Sequence, residues 1–410
     1  MRLLLITGNF SPEPNGTGKY NGEMIRWLAG RGYDCTVITT YPYYPEWKVQ
    51  APYTSRKYRF TKEVQQFDTG RITVYRCPQY VPVKPSGKKR ILQDATFAVA
   101  AAWQLLLTLP RQRFDIVMTV VPSFILGLLA VFYKKVRGAK FLYHIQDMQI
   151  EAARDLRMIR SPWLLQRLFG MERFIMRRAD VISSISDGMI RKIGEKAGRE
   201  VMLFPNWVDV SLFHPLENKE VLKAEYGFKA SDRIVLYSGA IGEKQGLEAV
   251  LHAAASFRDN PAVKFLICGS GPYRQQLQLM AESLQLQNTI FMPLQPFEKF
   301  NRFLNMADVH LVIQKGHAAD LVMPSKLTTI MAVGGLAIVT ANPGTSLHEL
   351  ITRHEMGIVA EADDQSELNN AISKAIAGDA DIYAQNARRY ALEHLSVDKI
   401  MPAFEQAAQN

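Results

Sequence analysis

Leu3-Leu4-Leu5-Ile6-Thr7 forms an unbroken apolar run that stops at Gly8-Asn9. A short apolar run closed by turn residues predicts a strand covered on both faces. The same signal recurs at Cys35–Thr40, Ile72–Arg76, Ile116–Val121, Phe141–Ile145 and Val181–Ser184. Between the first two strands, Met24, Ile25 and Leu28 share one face of a helix predicted over Lys19–Arg31. Phe204-Pro205-Asn206-Trp207 then breaks the pattern, and polar residues through Asn218 read as a linker. The series restarts at Arg233–Tyr237 and continues through Lys264–Cys268, Thr289–Met292, Val309–Ile313 and Ala337–Thr340. A helix is expected at Leu247–Phe257 and a last one from Asp381 to Ala408. Apolar strands alternating with helices predict an α/β chain with two parallel-sheet domains, at residues 1–203 and 219–380. A linker at 204–218 and a C-terminal helix at 381–410 complete the expected order.

Two stretches, Ile91–Leu109 and Val120–Tyr133, are more apolar than the rest. Basic residues flank them: Lys84, Lys88, Lys89 and Arg90, then Arg111 and Arg113, then Lys134, Lys135 and Arg137. The first carries Gln93, Asp94 and Gln104, and the second is shorter than the roughly 20 apolar residues a membrane span requires. They read either as core helices with solvated ends or as a patch dipping into lipid from one side. Lys and Arg number 49 and Asp and Glu 39, so the net charge is +10. That charge suits nucleic acid, anionic lipid or a phosphorylated substrate. No nucleic-acid module is recognisable, so no nucleic-acid partner is expected. Hydrophobic residues at 48% and charged residues at 21% exclude a disordered chain. Cys35, Cys77 and Cys268 form no Cys-x-x-Cys pair, which disfavours a zinc ribbon or a disulfide scaffold and fits a cytoplasmic setting. The apolar start lacks a small-residue cleavage site and meets Pro12 and Pro14, so it reads as a strand rather than a signal peptide.

In open parallel sheets, ligands bind beyond the carboxyl ends of the strands, so the loops there are the informative ones. After the first strand, Asn15-Gly16-Thr17-Gly18-Lys19 could bring backbone N–H groups to a phosphate, or be an ordinary turn. It fits neither a Walker A loop nor a dinucleotide fingerprint. Tyr43, Tyr44, Glu46 and Trp47 follow the second strand as candidate sugar-stacking and hydroxyl-binding groups. His144-Ile145-Gln146-Asp147 closes a later strand, and His144 and Asp147 are candidates for chemistry. In the second half, Gly239 and Lys244 lie in a strand-to-helix loop, and Gly269-Ser270-Gly271-Pro272 makes another. Pro324-Ser325-Lys326 opens a helix, and Lys326 in a first turn opposes the helix dipole unless an anion sits there. Asp379-Ala380-Asp381 is the one Asp-x-Asp, placed far from any strand end, so no metal site is expected.

Taken in order, these motifs resemble a family 4 glycosyltransferase of the GT-B type. The matching stretches are Pro42–Pro45, His144–Asp147, Phe204–Trp207, Tyr237–Glu248, Gly269–Pro272 and Pro324–Thr328. Within the family the resemblance is nearest to fucosyl-transferring members of colanic acid biosynthesis. It implies two Rossmann-like domains, a nucleotide-sugar donor on the second and an acceptor, lipid-linked oligosaccharide, on the first. It implies a last helix that crosses back to the first domain, retention of configuration, and no metal or other cofactor, with GDP-fucose as the guessed donor. By the same resemblance Gly16, Gly18, Lys244 and Lys326 would meet the donor diphosphate. Asn206, Gly239, Gly269, Gly271 and Thr329 would shape the donor cleft, and His144, Asp147 and Asp320 would serve the transferred sugar. Tyr43, Tyr44, Glu46 and Trp47 are set aside for the acceptor. The chain departs from the family pattern at Ala240 and Gly242, where an Arg is usual, and at Leu321 and Thr329, where a pair of glutamates is usual. Asp320 stands one residue from the first of these. The expected protein is cytoplasmic, with peripheral contact to an anionic inner membrane. Two other readings fit less of the pattern: a non-catalytic sugar-nucleotide or polysaccharide-binding partner, and a nucleotide-sugar epimerase.

Overall fold

The computed structural model describes the chain except residues 85, 156–158, 160, 317–323, 379, 380 and 410, and except the side chains of 88, 152, 155 and 244. Two compact units emerge: Met1–Pro205 with Met401–Asn410, and Asn206–Ile400.

The first unit carries strands β1 (Arg2–Thr7), β2 (Asp34–Thr39), β3 (Thr61–Gln66), β4 (Arg71–Arg76), β5 (Ile116–Val121), β6 (Lys140–Ile145), β7 (Val181–Ser184) and β8 (Met202–Leu203). They form one sheet in the order β3-β4-β2-β1-β5-β6-β7-β8. Pairing is parallel except at β3, which runs antiparallel to β4 at the edge. The helices are α1 (Gly16–Gly30), α2 (Gly87–Thr108), α3 (Gly127–Arg137), α4 (Gln149–Asp155), α5 (Pro162–Arg178) and α6 (Asp187–Ala197). The steps β4→β5, β5→β6 and β6→β7 all move the same way along the sheet, so right-handed crossovers put α2, α3 and α5 on one face. The step β1→β2 moves the other way and puts α1 on the opposite face.

The second unit contains α7 (Lys219–Glu225), β9 (Arg233–Ser238), α8 (Glu248–Ser256), β10 (Val263–Cys268), α9 (Arg274–Ser283), β11 (Thr289–Met292) and α10 (Phe297–Asn305). It continues with β12 (Val309–Val312), α11 (Lys326–Ala332), β13 (Ala337–Thr340), α12 (Ser346–His354), β14 (Gly357–Ala360), α13 (Gln365–Ile376) and α14 (Asp381–Tyr390). Its sheet is ordered β11-β10-β9-β12-β13-β14 and is parallel throughout. Two apolar layers sandwich it, one around Leu236, Leu266 and Met331, the other around Val235, Phe265 and Ile338. Alternate residues of each strand thus feed alternate layers.

The expected continuous last helix is interrupted. After α14 the backbone widens into a π turn at Ala391–Leu395, and α15 (Val397–Gln409) starts afresh after the extended Ser396. In the first unit, Phe404 of α15 stacks on Phe204, and Glu405 pairs with Arg31 of α1.

Candidate active site

At the carboxyl edge of the first sheet, the loop after β1 turns back on itself around Glu13. This side chain is buried and accepts hydrogen bonds from Asn9 Nδ2 at 2.7 Å, Tyr44 N at 3.0 Å and Tyr43 N at 3.3 Å. It therefore ties the β1 loop to the aromatic loop after β2. Burial pushes the Glu13 carboxyl above the usual carboxylate range, against the donors that pull it down. The Tyr43 hydroxyl is raised as well, first by burial and then by the charges of Glu13 and Asp94. Tyr43 packs against Trp47 with ring centroids 5.6 Å apart, and the Arg90 guanidinium of α2 covers Trp47 at 4.9 Å. Asp94, also on α2, accepts from Ser123 Oγ at 2.8 Å and from Gln149 Nε2 at 3.3 Å, and burial raises its carboxyl too. Tyr43, Tyr44 and Trp47 are thus brought together, while Glu46 is exposed. Asp147 lies half-buried just beyond β6. Glu13, Arg90, Asp94 and Gln149 were missed from sequence, because nothing in their spacing reveals that separate loops converge on them.

Two expected site residues in this unit have partners within it. The Gly18 N–H is not offered outward: Asn15, the α1 N-cap, accepts it on Oδ1 at 2.6 Å. Gly16 and Thr17 supply the remaining first-turn N–H groups. His144, the last residue but one of β6, is covered. Its ring is 2% exposed, its Nδ1 is 3.0 Å from Ser183 Oγ, and its edge meets Phe204. Burial lowers its pKa to about 3, so the ring is neutral at physiological pH. Its contact with Ser183 links β6 to β7.

The second crest is built from glycines and one lysine. A Cβ on Gly269 would lie 1.9 Å from the Gly239 carbonyl oxygen, and one on Gly271 2.0 Å from that of Ile241. Only glycine lets these two strand-end loops lie on each other. Gly239 N donates to Cys268 O, and Ile241 N to Ser270 O, closing the contact. Lys326 opens α11, and its Nζ rests 3.6 Å from the centroid of the Tyr237 ring. That Nζ is buried and has no hydrogen-bond acceptor among the described residues. A Cβ on Gly239 would come within 3.0 Å of it. Burial pulls the Lys326 ammonium down to about 7. The lysine is therefore not the solvated surface group that composition alone allows; it is covered, faces an aromatic ring, and has no counter-ion among the described residues.

Thr329 and Asn206 are buried. Lys244 sits in the short 3-10 turn Glu243–Gln245, and its side chain lies outside the described residues, as do Asp320 and Leu321. Asp379 and Ala380 are outside them too. Among the described residues, no group of three or more His, Cys, Asp or Glu could hold a metal ion. A cavity of about 280 Å³ adjoins the Lys244 turn and is lined by Gln245, Glu248, His252, Gln314, Lys315 and Asp363, among others. Glu248 Oε2 and Gln314 Nε2 are buried there without a partner among the described residues.

Comparison with known proteins bears on both crests. Residues 15–207 match the model of the glycosyl transferase 4-like domain, and residues 218–394 match that of glycosyl transferases group 1. The chain is 37% identical over 412 aligned positions to WcaI of Escherichia coli (strain K12), covering 98% of each. That relative's name provisionally makes it a colanic acid biosynthesis glycosyl transferase. Among solved structures, sucrose-phosphate synthase from Thermosynechococcus elongatus superimposes with a TM-score of 0.74 at 17% identity, covering 100% of this chain and 98% of the other. Anabaena Alr3699/HepE, solved with UDP and glucose, gives 0.72 at 15% identity, covering 100% and 99%. At such identities these two likenesses establish the GT-B fold alone.

Proposed function

The chain belongs to the glycosyltransferases of the group 1 and 4-like families, and on that premise we propose that it moves fucose from GDP-fucose to a lipid-linked oligosaccharide in the assembly of a colanic-acid-like exopolysaccharide. The reaction retains anomeric configuration and requires no metal. The observation that carries the donor half is the covered Lys326 ammonium beside Gly239, which has no hydrogen-bond partner among the described residues. A buried cation without a counter-ion is costly, and a diphosphate supplies what it lacks.

In the transfer, the bond from the anomeric carbon to the donor's phosphate oxygen breaks as the acceptor hydroxyl oxygen bonds to the same carbon on the same face. The hydroxyl proton passes to the departing diphosphate. In the second unit, Lys326 meets the charge that grows on that leaving group, and Lys244 joins it by the family resemblance. Asp147 and Asp320 stand for the sugar hydroxyls. His144 becomes a positioning residue, holding β6 against β7 below the site. In the first unit, the Tyr43–Trp47 pair offers ring faces to an acceptor sugar, and Asp94 and Glu13 hold the loops that frame it. The protein works on the cytoplasmic face of the inner membrane, where a lipid-linked acceptor is found.

The test is nucleotide release from a panel of GDP- and UDP-sugars, with a membrane-extracted acceptor and with EDTA present. The reading expects release from GDP-fucose, dependent on acceptor and undiminished by EDTA. Turnover with UDP-sugars alone replaces the donor. Conversion of the donor sugar without acceptor makes the protein an epimerase.

A further inference from the structure

Strand β4 ends on an arginine where its pattern calls for an apolar residue. Ile72, Val74 and Arg76 share one side of the strand, and all three are buried. Arg76 is 2% exposed and is among the largest fully covered side chains of the protein. Its stem continues the apolar row, and its guanidinium reaches the loops at the carboxyl edge of the sheet. There it donates three ways: Nε to Glu63 Oε1 of β3 at 2.7 Å, Nη1 to Thr40 O at 3.1 Å and Nη2 to Ser11 O at 2.9 Å. The Tyr53 ring centroid lies 4.6 Å from the guanidinium carbon. A buried cation is costly unless it is paired and hydrogen-bonded. Here one carboxylate, two carbonyls and a ring face meet it.

The two carbonyls belong to the two loops that carry the Tyr43–Trp47 cluster. Ser11 stands two residues before Glu13, and Thr40 three before Tyr43. Glu13 already joins these loops by accepting from Tyr43 N and Tyr44 N, and Arg76 joins them a second time. The rest of the aromatic loop folds back on the same point. Tyr53 packs on Tyr41 with centroids 5.7 Å apart, Gln50 Nε2 donates to Tyr44 O at 2.7 Å, and Tyr41 Oη donates to Arg59 O at 2.9 Å. Helix α1 limits Ser11 as well: a Cβ on Gly22 would come within 2.6 Å of the Ser11 Cβ. The loop after β1 is thus pinned by Arg76 through its backbone and by α1 through its side chain.

We propose that Arg76 is the positioning residue of the acceptor cluster: its fork fixes the loops after β1 and β2 against each other, and so fixes Glu13, Tyr43 and Trp47. The inference rests on the proposed acceptor role of that cluster and adds the group that holds it in place. Arg76 bonds the loops rather than the rings, so it acts through them. Charge alone does not suffice for the task. A guanidinium is a planar fork of five donors, whereas an ammonium is a compact charge on a flexible stem. Lysine could keep the pair with Glu63, but Ser11 O and Thr40 O would lose donors they now have. The donor half of the proposed site stands on the second unit, so its affinity should not follow this residue.

The test compares Arg76→Met, which keeps the stem, with Arg76→Lys, which keeps the charge. The first readout needs no substrate. Lys48, Arg56, Lys57 and Arg59 are tryptic sites in the aromatic loop, and cutting there tracks how often that loop opens. Cleavage at these sites should be about tenfold faster in Arg76→Met, with cleavage of the second unit unchanged. The second readout is steady-state transfer. The acceptor KM should rise about tenfold in Arg76→Met while kcat and the donor KM hold, and Arg76→Lys should fall between that variant and wild type in both readouts. A residue serving stability alone would lower the amount of active protein and leave the acceptor KM where it is. Wild-type cleavage with a wild-type acceptor KM in Arg76→Met overturns the inference, and so does a donor KM that rises together with the acceptor KM. Should Arg76→Met fail to fold, Arg76→Lys decides: wild-type behaviour in both readouts sinks the proposal. Faster cleavage with an unchanged acceptor KM upholds Arg76 as the anchor of the loops and overturns instead the acceptor reading of the cluster, so the two failures are told apart.

Discussion

The two sheets end in crests of opposite character. The first crest is crowded with carboxyls, amides and rings: Glu13, Asp94, Gln149, Tyr43 and Trp47, with both carboxyls raised by burial. The second, among the described residues, stacks two glycine loops on each other beside a covered ammonium, with the Arg274 guanidinium on the Gly269 carbonyl. A surface of hydroxyl-binding groups and ring faces suits a neutral sugar. Close-packed backbone beside a covered ammonium suits a diphosphate. One topology, used twice, has thus been given two chemistries by what stands on the strand ends.

The comparison breaks most readily at Lys326. Lys326→Met should lower kcat/KM for the nucleotide-sugar about a hundredfold, the loss seen when one preorganised charge partner is removed. The free variant should melt no lower than wild type, since burying an unpaired ammonium opposes folding. With its pKa pulled to about 7, free Lys326 sheds its proton above that pH. Diphosphate binding must restore it, so affinity should weaken by up to about tenfold per pH unit above 7 and lose this slope in the variant. A nucleotide-induced thermal shift that survives Lys326→Met would remove the second crest from anion binding.

Next in size is Gly271→Ala. The new methyl group would press on the Ile241 carbonyl, 2.0 Å away, and the loops must part. A loss of about 3 kcal/mol is expected, read as a drop of roughly 5–10 °C in the melting of the second unit. A variant that melts with wild type would mean that the loops have room, and that close packing does not set the second crest.

Each unit holds one deeply buried histidine in a strand, and here the units should agree. His144 in the first and His310 in the second are each pushed down to about 3 by burial. Unfolded, each would take a proton near pH 6.5; folded, neither does. The unfolded state thus binds more protons between about 3 and 6.5, so stability is full above that window and falls as pH drops through it. At pH 5 each ring accounts for about 2 kcal/mol. Calorimetry at pH 7 and pH 5 should show this, and His144→Asn or His310→Asn should each flatten the loss in its own unit. An unchanged pH slope in both variants would place the acid sensitivity elsewhere.

The contrast between the crests was half legible in the sequence. The parallel strands stood out because they are apolar on both faces; Ile116–Val121, Val181–Ser184 and Thr289–Met292 match to the residue. The edge strand β3, Thr-Lys-Glu-Val-Gln-Gln, was invisible because it pairs on one side only and most of its side chains face water. Lys326 was legible because a cation in a helix's first turn is anomalous. His144 misled because strand alternation gives a side but not a depth: its side of β6 lies under Phe204 and α15, which arrive from far along the chain. Glu13 and Asp94 carry no local signal, since their partners come from other loops. The polar residues of α2 argued against a membrane span, and in the fold Gln93 and Gln104 are buried.

The smallest expected effect lies at Asp94, and it sharpens the reading of the first crest. Asp94→Asn keeps an oxygen for Ser123 but turns an amide NH2 toward Gln149 Nε2, donor against donor, where a carboxylate oxygen now accepts at 3.3 Å. Against that loss, the variant removes a carboxylate whose ionisation burial disfavours. The two terms oppose each other, so stability should move by less than about 1 kcal/mol. The Gln149 side chain, however, must turn, and with it the wall of the acceptor cluster. KM for the acceptor should rise about tenfold while kcat and the donor KM hold, the signature of lost uniform binding. An unchanged acceptor KM would detach Asp94 from sugar recognition. A change in donor KM instead would mean that the two crests do not divide the substrates between them.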